Sequence, residues 1–144
     1  MTAEKRPAEQ RRQRDWGVMR MKSRDAHIRM KRFQIEERRR QIGQIETMIE
    51  EFGRMASELD LEIAAEHRRT GIDDERHFAY STFARAARQR RTNLQTSISD
   101  LTQQLETAKA ALDLAMAELQ REQEKLEREM GQEPARLPGD RAAV

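Results

Sequence analysis

The feature that most constrains the fold is a seven-residue apolar repeat that runs twice along the chain. From Ile28 the steps land on Ile28, Ile35, Ile42, Ile49, Ala56 and Ile63, and the positions three residues later are Lys31, Arg38, Ile45, Phe52, Leu59 and Glu66. A second frame places Ala84, Arg91, Ile98, Leu105, Leu112, Leu119 and Leu126 in one row and Ala87, Leu94, Leu101, Ala108, Ala115, Glu122 and Glu129 in the other. A repeat of about 3.5 residues held in phase for this long specifies a helix that winds against a partner helix, not one that lies on a globular core.

Thr70-Gly71-Ile72-Asp73-Asp74 separates the frames. Gly71 suits the left-handed residue that closes a helix, and Asp73 or Asp74 suits the cap of the next. The expected fold is therefore all-α, an antiparallel two-helix coiled-coil hairpin. Its helices are expected at about 22–69 and 77–130, joined by a turn at 70–76, with each arm roughly 70 Å long. The expected seam is Ile28, Ile35, Ile42, Ile45, Ile49, Phe52, Leu59, Ile63, Leu94, Ile98, Leu101, Leu105, Leu112 and Leu119. The favoured register pairs positions whose numbers sum to 146 or 147, which sets Lys31, Arg38 and Arg91 across alanines with their charges reaching water. Slippage by one heptad would put Lys31 beside Glu122. Residues 1–20 lack the repeat and read as a flexible basic extension, and Gly131, Pro134, Pro138 and Gly139 mark 131–144 as a disordered tail.

Composition agrees with long solvated helices: 38% of the 144 residues are charged, 4% are aromatic and three are proline, too little bulky apolar material for a layered core. Without cysteine there is no disulfide scaffold or thiolate metal site, and no stretch resembles a membrane span or a secretory signal, so a soluble, cytoplasmic chain without membrane insertion is expected, a monomeric hairpin when alone. His27, His67 and His77 form no HxxxH pair and are expected in solvent near the turn or on the surface. No phosphate-binding glycine loop and no nucleophile-base pattern occurs, so neither cofactor, metal site nor catalytic residue is expected.

The net charge of +2 conceals an asymmetry: residues 1–40 hold fourteen Lys/Arg against six Asp/Glu, and the remainder fourteen against twenty. Such a basic region attracts acidic partners through long-range fields. Met30 and Phe33 fall outside the seam and should be exposed amid those cations, as at a protein contact patch. The expected partner-binding residues are Arg24, Arg29, Met30, Arg32, Phe33, Arg39 and Arg40. Phe78, Tyr80 and Phe83 are expected to cap the hairpin's core beside the turn.

The segments Met21-Lys22-Ser23-Arg24-Asp25, Ile28-Arg29-Met30-Lys31-Arg32-Phe33-Gln34, Arg54-Met55-Ala56-Ser57-Glu58-Leu59-Asp60 and Gly71-Ile72, then His77-Phe78-Ala79-Tyr80, resemble the alphaproteobacterial branch of the flagellar export protein FliJ family over about residues 21–112. Related sequences tend to begin near Met21, so residues 1–20 look like an extension or an upstream start choice. Ser81 stands where the family pattern has proline, which leaves the second helix without a sharp start. The resemblance implies a non-enzymatic component of the flagellar type III export apparatus, cytoplasmic and peripherally associated with the membrane-bound machinery at the flagellar base. Its implied partners are the export ATPase hexamer, which it enters like a central stalk, the cytoplasmic domain of the export gate and the export chaperones. The alternatives are a basic nucleic-acid-binding coiled coil and a structural spacer. A basic zipper needs a parallel dimer continued by a basic helix, and a spacer gives Met30 and Phe33 no purpose; the expectation is therefore no nucleic acid.

Overall fold

The computed structural model describes residues 6–131, and every regular element among them is helical: α1 (Arg6–Thr70) and α2 (Thr82–Gly131), packed as an antiparallel helical hairpin. The chain divides into two compact units, each an antiparallel pairing of a stretch of α1 with a stretch of α2. One comprises residues up to Glu37 with those from Leu112, the other Arg38–Ala111. The expected tail at 132–144 and residues 1–5 lie outside the described residues.

Burial follows the heptads. Every position in the four expected rows is buried or half-buried except Arg38. Ile28, Ile35, Ile42, Ile63, Ala84, Ala87 and Leu101 are buried, and most of the other seam residues are half-buried because a single facing helix covers only one side of each. Ion pairs between the helices fix the register within each unit. In the first, the Arg24 guanidinium donates to Glu122 at 2.9 Å and to Glu129 at 2.8 Å, and Lys31 donates to Glu118 at 2.8 Å. In the second, Arg91 meets Asp60 at 2.7 Å, and a hydrogen bond of 2.9 Å joins His67 to Tyr80 of the turn. The numbers of Arg24–Glu122 and His67–Tyr80 sum to 146 and 147, as in the favoured register, whereas those of Lys31–Glu118, Arg91–Asp60 and Arg24–Glu129 sum to 149, 151 and 153. The charges of Lys31 and Arg91 nevertheless end on carboxylates rather than in water, since a cation part-shielded by its neighbours gains more from a fixed carboxylate than from partial hydration. Arg38 is the exposed one, lining an open groove with Ala108 as the register requires.

The boundaries differ from expectation at three places. α1 begins at Arg6, not near 22, so residues 6–20 are helical. Arg, Glu, Gln and Ala there are good helix formers, and Pro7 and Glu9 suit a first turn, so propensity extends the helix past the apolar repeat. The seam also runs upstream, with Met21, Arg24 and Gly17 half-buried. The turn is longer and α2 starts at Thr82, not 77, because Ser81 is the cap, in place of Asp73 or Asp74. The Ala84 N–H donates to Ser81 Oγ at 3.2 Å and the Arg85 N–H to the Ser81 carbonyl at 3.0 Å. Asp74 instead accepts from the Arg76 N–H at 2.9 Å in a local turn. At the other end Gly71, at φ 71°, closes α1 with its N–H on the His67 carbonyl at 2.8 Å.

Candidate protein-contact sites

Two regions concentrate candidate contact side chains, the turn in one unit and the basic stretch of α1 up to Phe33 in the other. The turn region is built around Tyr80, which is buried, while Phe78 is 98% exposed and Phe83 also faces out. Only Tyr80 therefore caps the core, which corrects the expectation for the other two aromatics. The HFAY segment is tightened by two bonds from His77: its carbonyl accepts from the Tyr80 N–H at 3.0 Å, and its Nδ1 accepts from the Ala79 N–H at 3.0 Å. That geometry aims Phe78 outward, stacked on the His77 ring at 4.7 Å, and Tyr80 inward.

Tyr80 meets the α1 end through His67, which is half-buried and not solvent-borne: its Nε2 lies 2.9 Å from the phenol oxygen and the ring centroids are 5.6 Å apart. Arg85 lies over the Tyr80 face, 5.4 Å from the ring centroid, where the negative quadrupole attracts it. Beside them Glu66 accepts from Arg69 at 2.5 Å and from Ser81 Oγ at 2.7 Å. Arg69 first, and then the Ser81 hydroxyl, hold the Glu66 carboxyl down to about 2 from its ordinary 4.5, and the same contact raises Arg69. Arg88 pairs with Glu75 across the turn.

The basic stretch of α1 as far as Phe33 lies in the other unit, and Arg39 and Arg40 belong to the unit of the turn. Met30 and Phe33 are exposed, as their off-seam positions require. Arg29 and Arg32 are exposed beside them, and Arg29 makes a solvated pair with Asp25 at 3.3 Å. Arg39 and Arg40 are exposed too, each with a contact of its own. Arg24 stands apart from this group: it occupies a seam position, and its guanidinium is taken up by Glu129 and Glu122. The hydrogen bond to Glu129 leads in raising its pKa. Burial works against ionisation at Glu122, but Lys125 and Arg24 outweigh it and leave the carboxyl below the usual range. The heptad frame carried one step upstream from Lys31 lands on Arg24 and was the signal for this role.

Compared with protein-family models, curated proteins and solved structures, the chain matches none of them. Its surface therefore has to be interpreted from its own chemistry. Among the described residues no group of three or more His, Asp or Glu is placed to hold a metal ion, and no helix is long and apolar enough to cross a membrane. The grooves are open and lined by mixed side chains, a geometry for packing another protein's side chains more than for enclosing a small molecule.

Proposed function

We propose that this chain is a non-catalytic component of the flagellar type III protein export apparatus. In this reading it is a FliJ-like coiled coil that binds the export ATPase ring as a central stalk and connects it to the export gate and substrate chaperones. It would work in the cytoplasm at the flagellar base. The observation that carries the reading is the pair of exposed apolar residues Met30 and Phe33 beside the exposed Arg29 and Arg32, on a helix whose opposite face is occupied by the seam; Arg39 and Arg40 are exposed further along the same helix. Exposed apolar anchors ringed by arginine suit a protein contact with an acidic rim, in which charge steers the encounter and the anchors hold it. Arg24, engaged within the seam, leaves the proposed contact to the other six residues. The resemblance of the HFAY turn and the basic opening to that family supplies the identity of the ring.

The test is capture of the cognate export ATPase by the full chain, followed by ATP hydrolysis with and without it. Stimulation of hydrolysis is expected. Charge reversal at Arg29, Arg32 and Arg39 together should weaken capture at least about tenfold while far-ultraviolet circular dichroism stays unchanged. Undiminished capture by that variant would remove the assigned surface, and no capture by the native chain would remove the function.

A further inference from the structure

α1 carries a second repeat on its outer face. Trp16, Met19, Ser23, Ala26, Met30 and Phe33 follow one another at alternating steps of three and four residues, the spacing of a coiled-coil seam, and all six are exposed. The four large members are between 59% and 64% exposed. The residues packed against α2 in the same stretch are a different set, Met21, Arg24, Ile28, Lys31 and Ile35. One helix thus presents two heptad stripes, and α2 covers only one of them. The outer stripe spans about 27 Å, close to five turns.

Its relief and its charge indicate what covers it. Large side chains stand at both ends and the small pair Ser23 and Ala26 lies between, and an open groove runs from Ser23, Ala26 and Met30 past Arg20 and His27 to Arg24 and Glu122 at the α2 side. A facing helix with a large apolar residue at its middle layer would fill that dip, knob into hole. One edge carries Asp15, Lys22, Arg29 and Glu36 and the other Arg20, His27 and Gln34, so the cations Lys22, Arg29 and Arg20 flank the middle layers and the two carboxylates stand at the ends. A second copy of the chain is a poorer match than an acidic helix: antiparallel copies would set Lys22 against Arg29 and Asp15 against Glu36, and parallel copies would set Lys22 against His27 and Arg29 against Gln34, leaving both cations without a carboxylate and Asp15 against Arg20 as the attractive pair. We infer that this outer stripe docks an amphipathic helix of another protein, with apolar residues at heptad spacing and Glu or Asp at the flanking positions. The inference shares Met30 and Phe33 with the reading above but rests on the stripe, and holds whether or not the partner is an ATPase.

Trp16 is the chain's single tryptophan and reports on the surface directly. The full chain is titrated with a synthetic helix of about three heptads, Leu at the alternating three- and four-residue steps and Glu beside them, and with an isomer of identical composition whose leucines are out of step. The matched helix is expected to give a saturable blue shift of Trp16 emission that weakens with salt, and the isomer none. Because both residues are exposed, Met19→Glu and Phe33→Glu should keep native circular dichroism and lose more than about tenfold in affinity. An absent shift with the matched helix, an equal shift with the isomer, or unchanged affinity in Phe33→Glu overturns the inference. So does concentration-dependent self-association in sedimentation velocity that Phe33→Glu abolishes, since the stripe would then belong to a second copy. Failure of ATPase capture alone leaves the stripe's result intact.

Discussion

Replacing Ser81 separates two effects that one hydroxyl performs at the hairpin turn. As acceptor it caps α2 through the Ala84 N–H, and as donor it reaches Glu66 Oε1. Ser81→Ala loses the cap, which costs about 1 kcal/mol, or about 4 °C in Tm for a chain of this size. It also removes one of the groups that, after Arg69, hold the Glu66 carboxyl at about 2. A carboxyl whose folded pKa is depressed contributes stability above its unfolded value of 4.5, and that contribution is lost as pH falls from 4.5 toward about 2. The Tm deficit of Ser81→Ala should therefore exceed the capping loss at neutral pH and shrink toward it in acid. Ser81→Thr should melt close to the native chain. Ser81→Asp keeps a good cap but sets a carboxylate against Glu66, and should be the less stable of those two at neutral pH. Thermal melts followed by circular dichroism across this pH range decide the matter. A Ser81→Ala chain that melts with the native one at neutral pH, or a deficit that ignores pH, would refute the reasoning.

Other outcomes follow from the seam and the turn. Ile35, 4% exposed, should cost about 2–4 kcal/mol as Ile35→Ala in chemical denaturation, with no change in the folded baseline. Reversing the seam pair by Arg24→Glu should lower Tm, and adding Glu122→Lys and Glu129→Lys should restore most of the loss, a coupling that solvated charges would not show. Gly71→Ala forces an L residue to φ 71° and should cost about 1 kcal/mol, read as a lowered denaturation midpoint with an unchanged slope.

The fold was legible because its main determinant, apolar side chains at heptad spacing, is a one-dimensional signal. Ile28 through Leu119 needed only counting to be assigned to the seam, and Gly71 was recognisable from the conformation a helix end requires. Ser81 was not. Several residues before α2 could cap it, and the choice fell to the one whose hydroxyl also finds Glu66, a residue fifteen positions away in sequence that only the turn brings near. The start of α1 was missed for a related reason: residues 6–20 fold by local propensity, which a search for apolar periodicity does not register. In the basic region the exposure of Met30 and Phe33 followed from their heptad positions. The engagement of Arg24 depended on two glutamates at the far end of the chain, about a hundred residues away by the bonds they accept.

The cations in the seam have a consequence for the company the chain keeps. Were α1 to zip in parallel with α1 of a twin molecule, Arg24, Lys31 and Arg38 would each confront their own counterpart in successive layers, and Glu122 and Glu129 would do so in an α2 pair. Folding back on itself instead gives Arg24 and Lys31 a carboxylate at 2.9 Å or closer. Like charge at the join thus disfavours those two parallel pairings relative to the fold within one chain.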